Sequence, residues 1–387
     1  MARLPARGLL VVAAVFSLTA CSSPAQPRPA PAVVTPPPPA AAPAKAEPPP
    51  AAVRAAPTRP AHLWPFSRLQ DADYVSVNDL AKHYAFKSAW AKPDLVRTLA
   101  DAGGVRFKFE TNQRDCYLDG VRVFLGAPVL LHKGELWVSR LDVIKIIDPL
   151  VRPEDHQTLL PSAPKLIVLD AGHGGTDPGK QNARLKLDEK DMTLDVVLRL
   201  KKLLELRGYR VLLTREKDVR FSNSPAIDLP WRADIANKAG ADLFLSVHFN
   251  AVDPRDAQRV SGSETYVLTP ELMVSTQPES DKTMVREKYP GNRQDTANAL
   301  LGYNLHRQLI AGLRTSDRGY KRYRYAVLRT LNCPGALLEA AYLSNDAEAA
   351  RVGTPEFRQQ IAEAIAAGVQ AYAATLASLH PAPTPAK

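Results

Sequence analysis

Cysteine is scarce in this chain: three residues in 387, at Cys21, Cys116 and Cys333. Sulfurs so few and so far apart exclude a cysteine-based metal site, which needs clustered thiolates. Cys116 and Cys333 fall in different regions and read as two buried thiols, with pairing left open only if the compartment is oxidising. Long apolar runs are also in short supply. The stretch from Leu9 to Leu18 is too short to span a bilayer stably. The positive excess is thinner than it looks, because residues 1–65 carry half of the formal net charge of +10.

What is present begins with the ends. Residues 1–21 combine Arg3 and Arg7, an apolar run and small residues, the pattern of a secretory signal. Leu18-Thr19-Ala20-Cys21 resembles a bacterial lipoprotein box, which implies acylation of Cys21 and a lipid anchor in the membrane. Ser22 follows, with no Asp there, so in a Gram-negative cell the protein is expected on the periplasmic face of the outer membrane. Residues 22–65 are rich in Pro and Ala, cannot build a core, and read as a disordered tether. At roughly 3.1 Å per residue such a segment reaches on the order of 100 Å. Export argues against nucleic acid as a partner. The basic cluster Arg314, Arg318, Lys321, Arg322, Arg324 and Arg329 therefore reads as a solvated face or as weak attraction to an anionic cell wall.

Residues 66–150 predict a small α+β domain, a binding or spacer module: alternating or apolar runs separated by Gly-containing turns. His83 and His132 stand alone there, and no catalytic cluster appears. The stretches "LDGVRV" and "APVLLHKGELWVS" resemble the small modules named after the N-terminal region of copper amine oxidases. Residues 151–164, with three prolines, mark a linker. From Lys165 strands alternate with helices: a strand at 166–170, a helix from about Glu189 to Leu206, then strands at "YRVLLTR", "LFLSVHF", "SETYVL", "YAVL" and "GALLEA". Helices are expected around Trp231–Lys238, Thr296–Leu313 and Glu356–Leu376. This predicts an α/β domain over 165–378, a mostly parallel sheet flanked by helices, followed by a tail at 379–387.

Four polar residues fall at strand ends or a helix start: His173, Glu189, His248 and Glu339. Ligands collect at the carboxyl ends of strands in such sheets, and polar groups there need compensation for burial. Two imidazoles and a carboxylate form a common catalytic zinc set with one position open to water. Glu339 is then the general base. Singly, each residue has a plainer reading: a tight "GHGG" turn, a core histidine, a helix N-terminal acid, an ion-pair member. Their conjunction argues for a site.

These residues lie in blocks that resemble the zinc-dependent N-acetylmuramoyl-L-alanine amidases, the family of the cell-division amidases. The matching stretches are "IVLDAGHGGTDPG", "DEKDMTLDVVLRLKKLLE", "TREKD", "RADIANKAGADLFLSVHFNA", "GSETYVL" and "DRGYKRYRYAVLRTLNCPGALLEAAYLSN". The resemblance implies Zn2+ held by His173, Glu189 and His248, a catalytic Glu339, and peptidoglycan as substrate. The expected reaction is cleavage of the amide between the lactyl group of N-acetylmuramic acid and L-alanine, in wall remodelling or daughter-cell separation. It also implies support roles for Arg232, Asp234, Asn237 and Asn250. The stretch between Asp218 and Arg232 is longer than the family's usual spacing. Some relatives carry a regulatory segment, released by a protein activator, where residues 269–294 lie; Glu271, Glu279 and Glu287 are candidate blocking acids, and a groove-shaping loop is the other reading. Two functional alternatives stay open at this point: hydrolysis of a different wall amide, and wall binding without turnover.

Overall fold

The computed structural model describes residues 64–278 and 285–380. The signal, the lipobox Cys21, the tether up to residue 63, Glu279 and most of the tail lie outside the described residues; Trp64, expected in the tether, is instead buried in the core.

The N-terminal region builds two sheets from short, turn-punctuated strands. β1 (Ser67–Leu69), β2 (Ala72–Ser76), β8 (Leu130–His132) and β9 (Glu135–Ser139) form one, in the order β1-β2-β9-β8. Between them, α1 (Val77–His83) starts at Ser76, whose hydroxyl accepts from the Asp79 amide at 3.0 Å. β3 (Lys87–Lys92), β4 (Val96–Asp101), β5 (Gly104–Glu110), β6 (Asp115–Leu118) and β7 (Val121–Phe124) form an antiparallel meander. A helical run then follows: α2 (Arg140–Asp142), a π turn and α3 (Asp148–Val151). The expected linker includes a 3-10 turn at Pro153–Leu159.

The C-terminal region supplies β10 (Leu166–Ala171), the short pair β11 (Gln181–Asn182) and β12 (Leu187–Asp188), α4 (Glu189–Glu205), β13 (Arg210–Leu213), α5 (Pro225–Ala239) and β14 (Leu243–Asn250). β15 (Ser263–Val267), α6 (Asp295–Leu313), β16 (Asp317–Arg322), α7 (Ala326–Arg329), β17 (Gly335–Tyr342), α8 (Asp346–Val352) and α9 (Pro355–Leu379) complete it. β10 and β17 are buried along their whole length, as near-continuous apolar strands are when helices cover both faces of a sheet. α4 turns Val196, Val197, Leu200 and Leu204 into that core, at helical spacing.

The meander and the C-terminal strands share one sheet, ordered β13-β10-β14-β17-β15-β16-β7-β6-β5-β4-β3. The link is β7 on β16, parallel, with Val123 opposite Tyr320. The Asp317 carboxylate also accepts the Arg122 amide at 2.8 Å, the Tyr303 hydroxyl donates to the Leu118 carbonyl at 3.1 Å, and Lys145 pairs with Asp295 at 3.2 Å. The sheet is mixed rather than mostly parallel: five pairings are parallel and five antiparallel. The reason is local. β15 runs against β17, and the hairpin turns of the meander enforce antiparallel neighbours.

Three more expectations are corrected. "YAVL" is not a strand; α7 occupies 326–329, and the strand lies upstream in β16, "DRGYKR". Half of the basic cluster is not solvated, although Arg314 is exposed and Arg318 and Arg329 are half-buried. Lys321 and Arg322 are buried because β16 runs inside the sheet between β15 and β7, and Arg324, just beyond it, is buried against the Met273 carbonyl and the Ser275 hydroxyl. α5 starts at Pro225 rather than near Trp231, since proline suits the first helical position, where its missing N–H costs nothing. Cys116 and Cys333 are free and buried, and burial pushes the Cys333 thiol up to about 12.

Candidate metal centre

The centre forms where β10 and β14 end and α4 begins. His173 follows β10 in a left-handed conformation, φ +63°, which is costly for a residue with a side chain and is concentrated at functional sites. Two buried arginines hold it there. Arg232 donates to the His173 and Ala171 carbonyls, each at 2.9 Å; Arg215 donates to the Ala171 and Gly172 carbonyls, also at 2.9 Å. Arg232 is fixed in turn by Asp170 and Asp228, both at 2.8 Å. Burial works to raise the Asp170 carboxyl, but Arg232 and the hydroxyls of Ser246 and Thr214 hold it below its ordinary range.

The glycines around His173 make room for the neighbouring donors themselves. A Cβ on Gly172 would sit 2.3 Å from the His248 ring, and one on Gly179 would sit 2.7 Å from the Glu189 carboxylate and the His173 ring.

His173, Glu189 and His248 converge. One ligand atom from each lies within 4.8 Å of the others, and theirs is the group of this kind found among the described residues. Glu189 Oε1 is 3.1 Å from His173 Nε2 and 3.0 Å from His248 Nδ1. The same carboxylate accepts the Phe249 amide at 3.0 Å and the Lys180 amide at 2.8 Å. Burial acts to raise Glu189, but the two imidazoles hold it far below the carboxylate range. Burial likewise acts to lower His173, and its hydrogen bonds to Asp177 and Glu189 outweigh that, pushing it up to about 10. Asp177, 3.0 Å from His173 Nδ1, is lowered to about 2 mainly by that hydrogen bond. A carboxylate on the far nitrogen fixes the ring's tautomer and aim.

Glu339 lies opposite His248 in the β14–β17 ladder and opposite Glu264 in the β15–β17 ladder. It is buried, and its Oε2 has no hydrogen-bond partner. Burial, then Glu189 and Glu264, push it well above the ordinary carboxylate value. An orphaned carboxylate oxygen beside two imidazoles and an ionised acid suits a site built for a cation and a polar reactant. The donor set, two nitrogens and an oxygen without sulfur, fits zinc.

The expected supporting residues separate. Arg232 reaches the His173 carbonyl as described. Asn250 donates to Glu264 at 3.0 Å, beside Glu339. Asn237 is elsewhere: its amide donates to the Thr330 carbonyl at 2.8 Å, and its side-chain oxygen accepts the Asn332 amide at 2.8 Å, pinning α5 to the 330–332 turn. Asp234 pairs with Lys238 on the surface of α5. Glu271 pairs with Lys288 at 3.6 Å and Glu287 accepts from the Tyr289 hydroxyl; neither joins the three-donor group. Asp177, Arg215 and Glu264 were not singled out from sequence. Glu264, buried in β15, accepts from Lys321 at 2.7 Å and from the hydroxyls of Tyr342 at 2.6 Å and Tyr266 at 2.5 Å. An acid inside the otherwise uncharged "SETYV" strand was the available signal.

Fold and centre together define an α/β protein with a three-donor, N,N,O group at the carboxyl ends of its strands. The chain belongs to the N-acetylmuramoyl-L-alanine amidase family, whose model matches residues 167–371. A germination-specific N-acetylmuramoyl-L-alanine amidase of Bacillus subtilis (strain 168) is 32% identical over 221 residues, covering 55% of this chain and 81% of that one. The N-acetylmuramoyl-L-alanine amidase AmiC of Escherichia coli O6:H1 is 30% identical over 246 residues, covering 56% of this chain and 54% of that one. Among solved structures, the amidase AmiC2 of Nostoc punctiforme aligns with a TM-score of 0.43 at 28% identity, over 54% of this chain and 96% of that one.

Proposed function

We propose that this protein is a zinc-dependent peptidoglycan hydrolase that cuts the amide between the lactyl group of N-acetylmuramic acid and the L-alanine of the stem peptide. The convergence of His173, Glu189 and His248 beside a partnerless Glu339 carries this reading. Those three residues would hold the zinc, which when bound polarises the scissile carbonyl and lowers the pKa of water towards about 7. Asp177 keeps the His173 nitrogen aimed through its 3.0 Å hydrogen bond. Glu339 accepts the proton of the attacking water at its free oxygen and delivers it to the leaving alanine nitrogen. Burial and the neighbouring acids Glu189 and Glu264 raise this carboxyl, which favours its holding the proton between the two transfers.

The lipobox supports a lipid anchor at Cys21, with the tether carrying the hydrolase to the wall. Replacing Cys21 with alanine is expected to release the protein from the membrane fraction.

The deciding experiment is mass spectrometry of purified peptidoglycan digested with zinc-loaded protein. The expected products are glycan strands free of peptide and peptides with a free L-alanine amine. Deacetylated sugars or shortened stems would replace this reading with another wall hydrolase, and binding without products would replace it with a wall-binding protein.

A further inference from the structure

The lengthened stretch between Asp218 and Arg232 runs as a loop against the glycine turn that carries His173 and then enters α5 at Pro225. Asp218 accepts the Gly175 amide at 2.6 Å and pairs with Lys190 at 2.7 Å. The Thr176 hydroxyl donates to the Asn223 side-chain oxygen at 2.6 Å. Arg220 lies 3.7 Å from Asp177, the acid that aims His173. Asp228, which fixes Arg232, also accepts the Phe221 amide at 3.1 Å. The loop is therefore registered to the metal centre by the same residues that hold His173 in place.

The loop and α5 together present an aromatic pair. The rings of Phe221 and Trp231 stack in parallel, 4.3 Å apart at 2°. Phe221 is nonetheless 54% exposed, as is Ile227, which lies one helical turn before Trp231 on α5. An exposed apolar patch beside a polar site marks a contact surface rather than core. Its rim is polar: the Thr176 hydroxyl and the Asn223 side chain meet there at 2.6 Å, and an asparagine amide carries two N–H donors besides its oxygen. A flat, rigid aromatic face with hydroxyl and amide groups at its edge matches a pyranose ring, which offers C–H groups on one face and hydroxyls around its rim.

We propose that the Phe221–Trp231 pair is a stacking platform for a sugar ring of the glycan strand whose stem peptide is cut at the centre. The proposal rests on the reading of the chain as a peptidoglycan amidase, and its test has an arm that does not. In that arm the zinc-loaded full chain is titrated with a β-1,4-linked N-acetylglucosamine tetramer while tryptophan fluorescence is followed. Saturable quenching is expected. It should weaken about three- to ten-fold in F221A, as one aromatic stack implies, recover in F221Y, and vanish in W231F. In the second arm, KM for solubilised glycan strands should rise about three- to ten-fold in F221A, a larger change than for a muramyl peptide without neighbouring sugars. A wild type that releases no peptide from either substrate would sink the amidase reading and leave the titration to decide the platform. No saturable quenching, equal affinity in folded F221A, or self-association lost in F221A without sugar binding would each overturn it, the last in favour of a protein surface.

Discussion

One sheet carries two different kinds of strand. From β13 to β17 the strands are parallel; β10, β14 and β17 are buried along most of their length and carry polar residues in or beyond their carboxyl halves: His173 beyond β10, His248 in β14, Glu339 in β17. From β7 to β3 the same sheet continues as an antiparallel meander with one half-solvated face; β5 reads exposed, exposed, half-buried, buried, exposed, buried, half-buried. No three-donor group forms in that half among the described residues. Parallel strands joined through helices bring all their carboxyl ends to one edge, so residues far apart in sequence meet there. A meander returns each strand at once and alternates its ends between the two edges. The difference teaches that connectivity, more than composition, decides which half can assemble a site.

The comparison can be broken most sharply at the centre. H173A or H248A should abolish hydrolysis and bound zinc together, measured by product release and elemental analysis. The control K108A in the meander should change neither. A variant that kept full activity would end the assignment of that ligand. E339Q should keep its zinc and lose about 10²- to 10⁴-fold in kcat, the range of general acid–base work; full turnover would remove the proton-transfer role. At the join, D317A should cost about 1–3 kcal/mol in chemical denaturation. It leaves the Arg122 amide and His306 without their bonds of 2.8 and 2.9 Å. Unchanged stability would mean that the two halves hold together without this contact.

The smallest effect sharpens the picture. Glu339 is raised in the folded protein, so folding favours its protonated form. Its contribution is fully present below the unfolded value of about 4.3 and is lost as pH rises through the folded value. Metal-free E339Q should therefore match the wild type near pH 4. By pH 8 it should exceed the wild type by on the order of 1 kcal/mol. Thermal melts at the two pH values would show this, and a constant difference would indicate that burial of the charge is not what strains the site.

Much of this was legible. β10, β14 and β17 announce themselves by apolar runs; His173 and His248 sit at or near the ends of theirs, whereas Glu339, expected to close its strand, stands inside β17 and is followed by Ala340, Ala341 and Tyr342. β16 does not announce itself: its buried residues include Lys321 and Arg322, whose charges hide a strand that tertiary partners such as Glu264 make tolerable. Arg215 and Asp177 escaped for a different reason. Their work is to hold a carbonyl and an imidazole, and neither has a spacing signature. The joining of β7 to β16 was equally invisible, because a single parallel pairing between segments almost 200 positions apart leaves no local pattern.

That pairing has a practical corollary for anyone who trims the chain. A fragment beginning near Lys165 would keep every candidate ligand, but β16 would become a raw border with unanswered amides and carbonyls where Val123 and its neighbours now lie. Such a border recruits whatever extended chain it meets, including its own copies. The shortened enzyme would be active and sticky at once, and solubility rather than turnover would report what the small module is for.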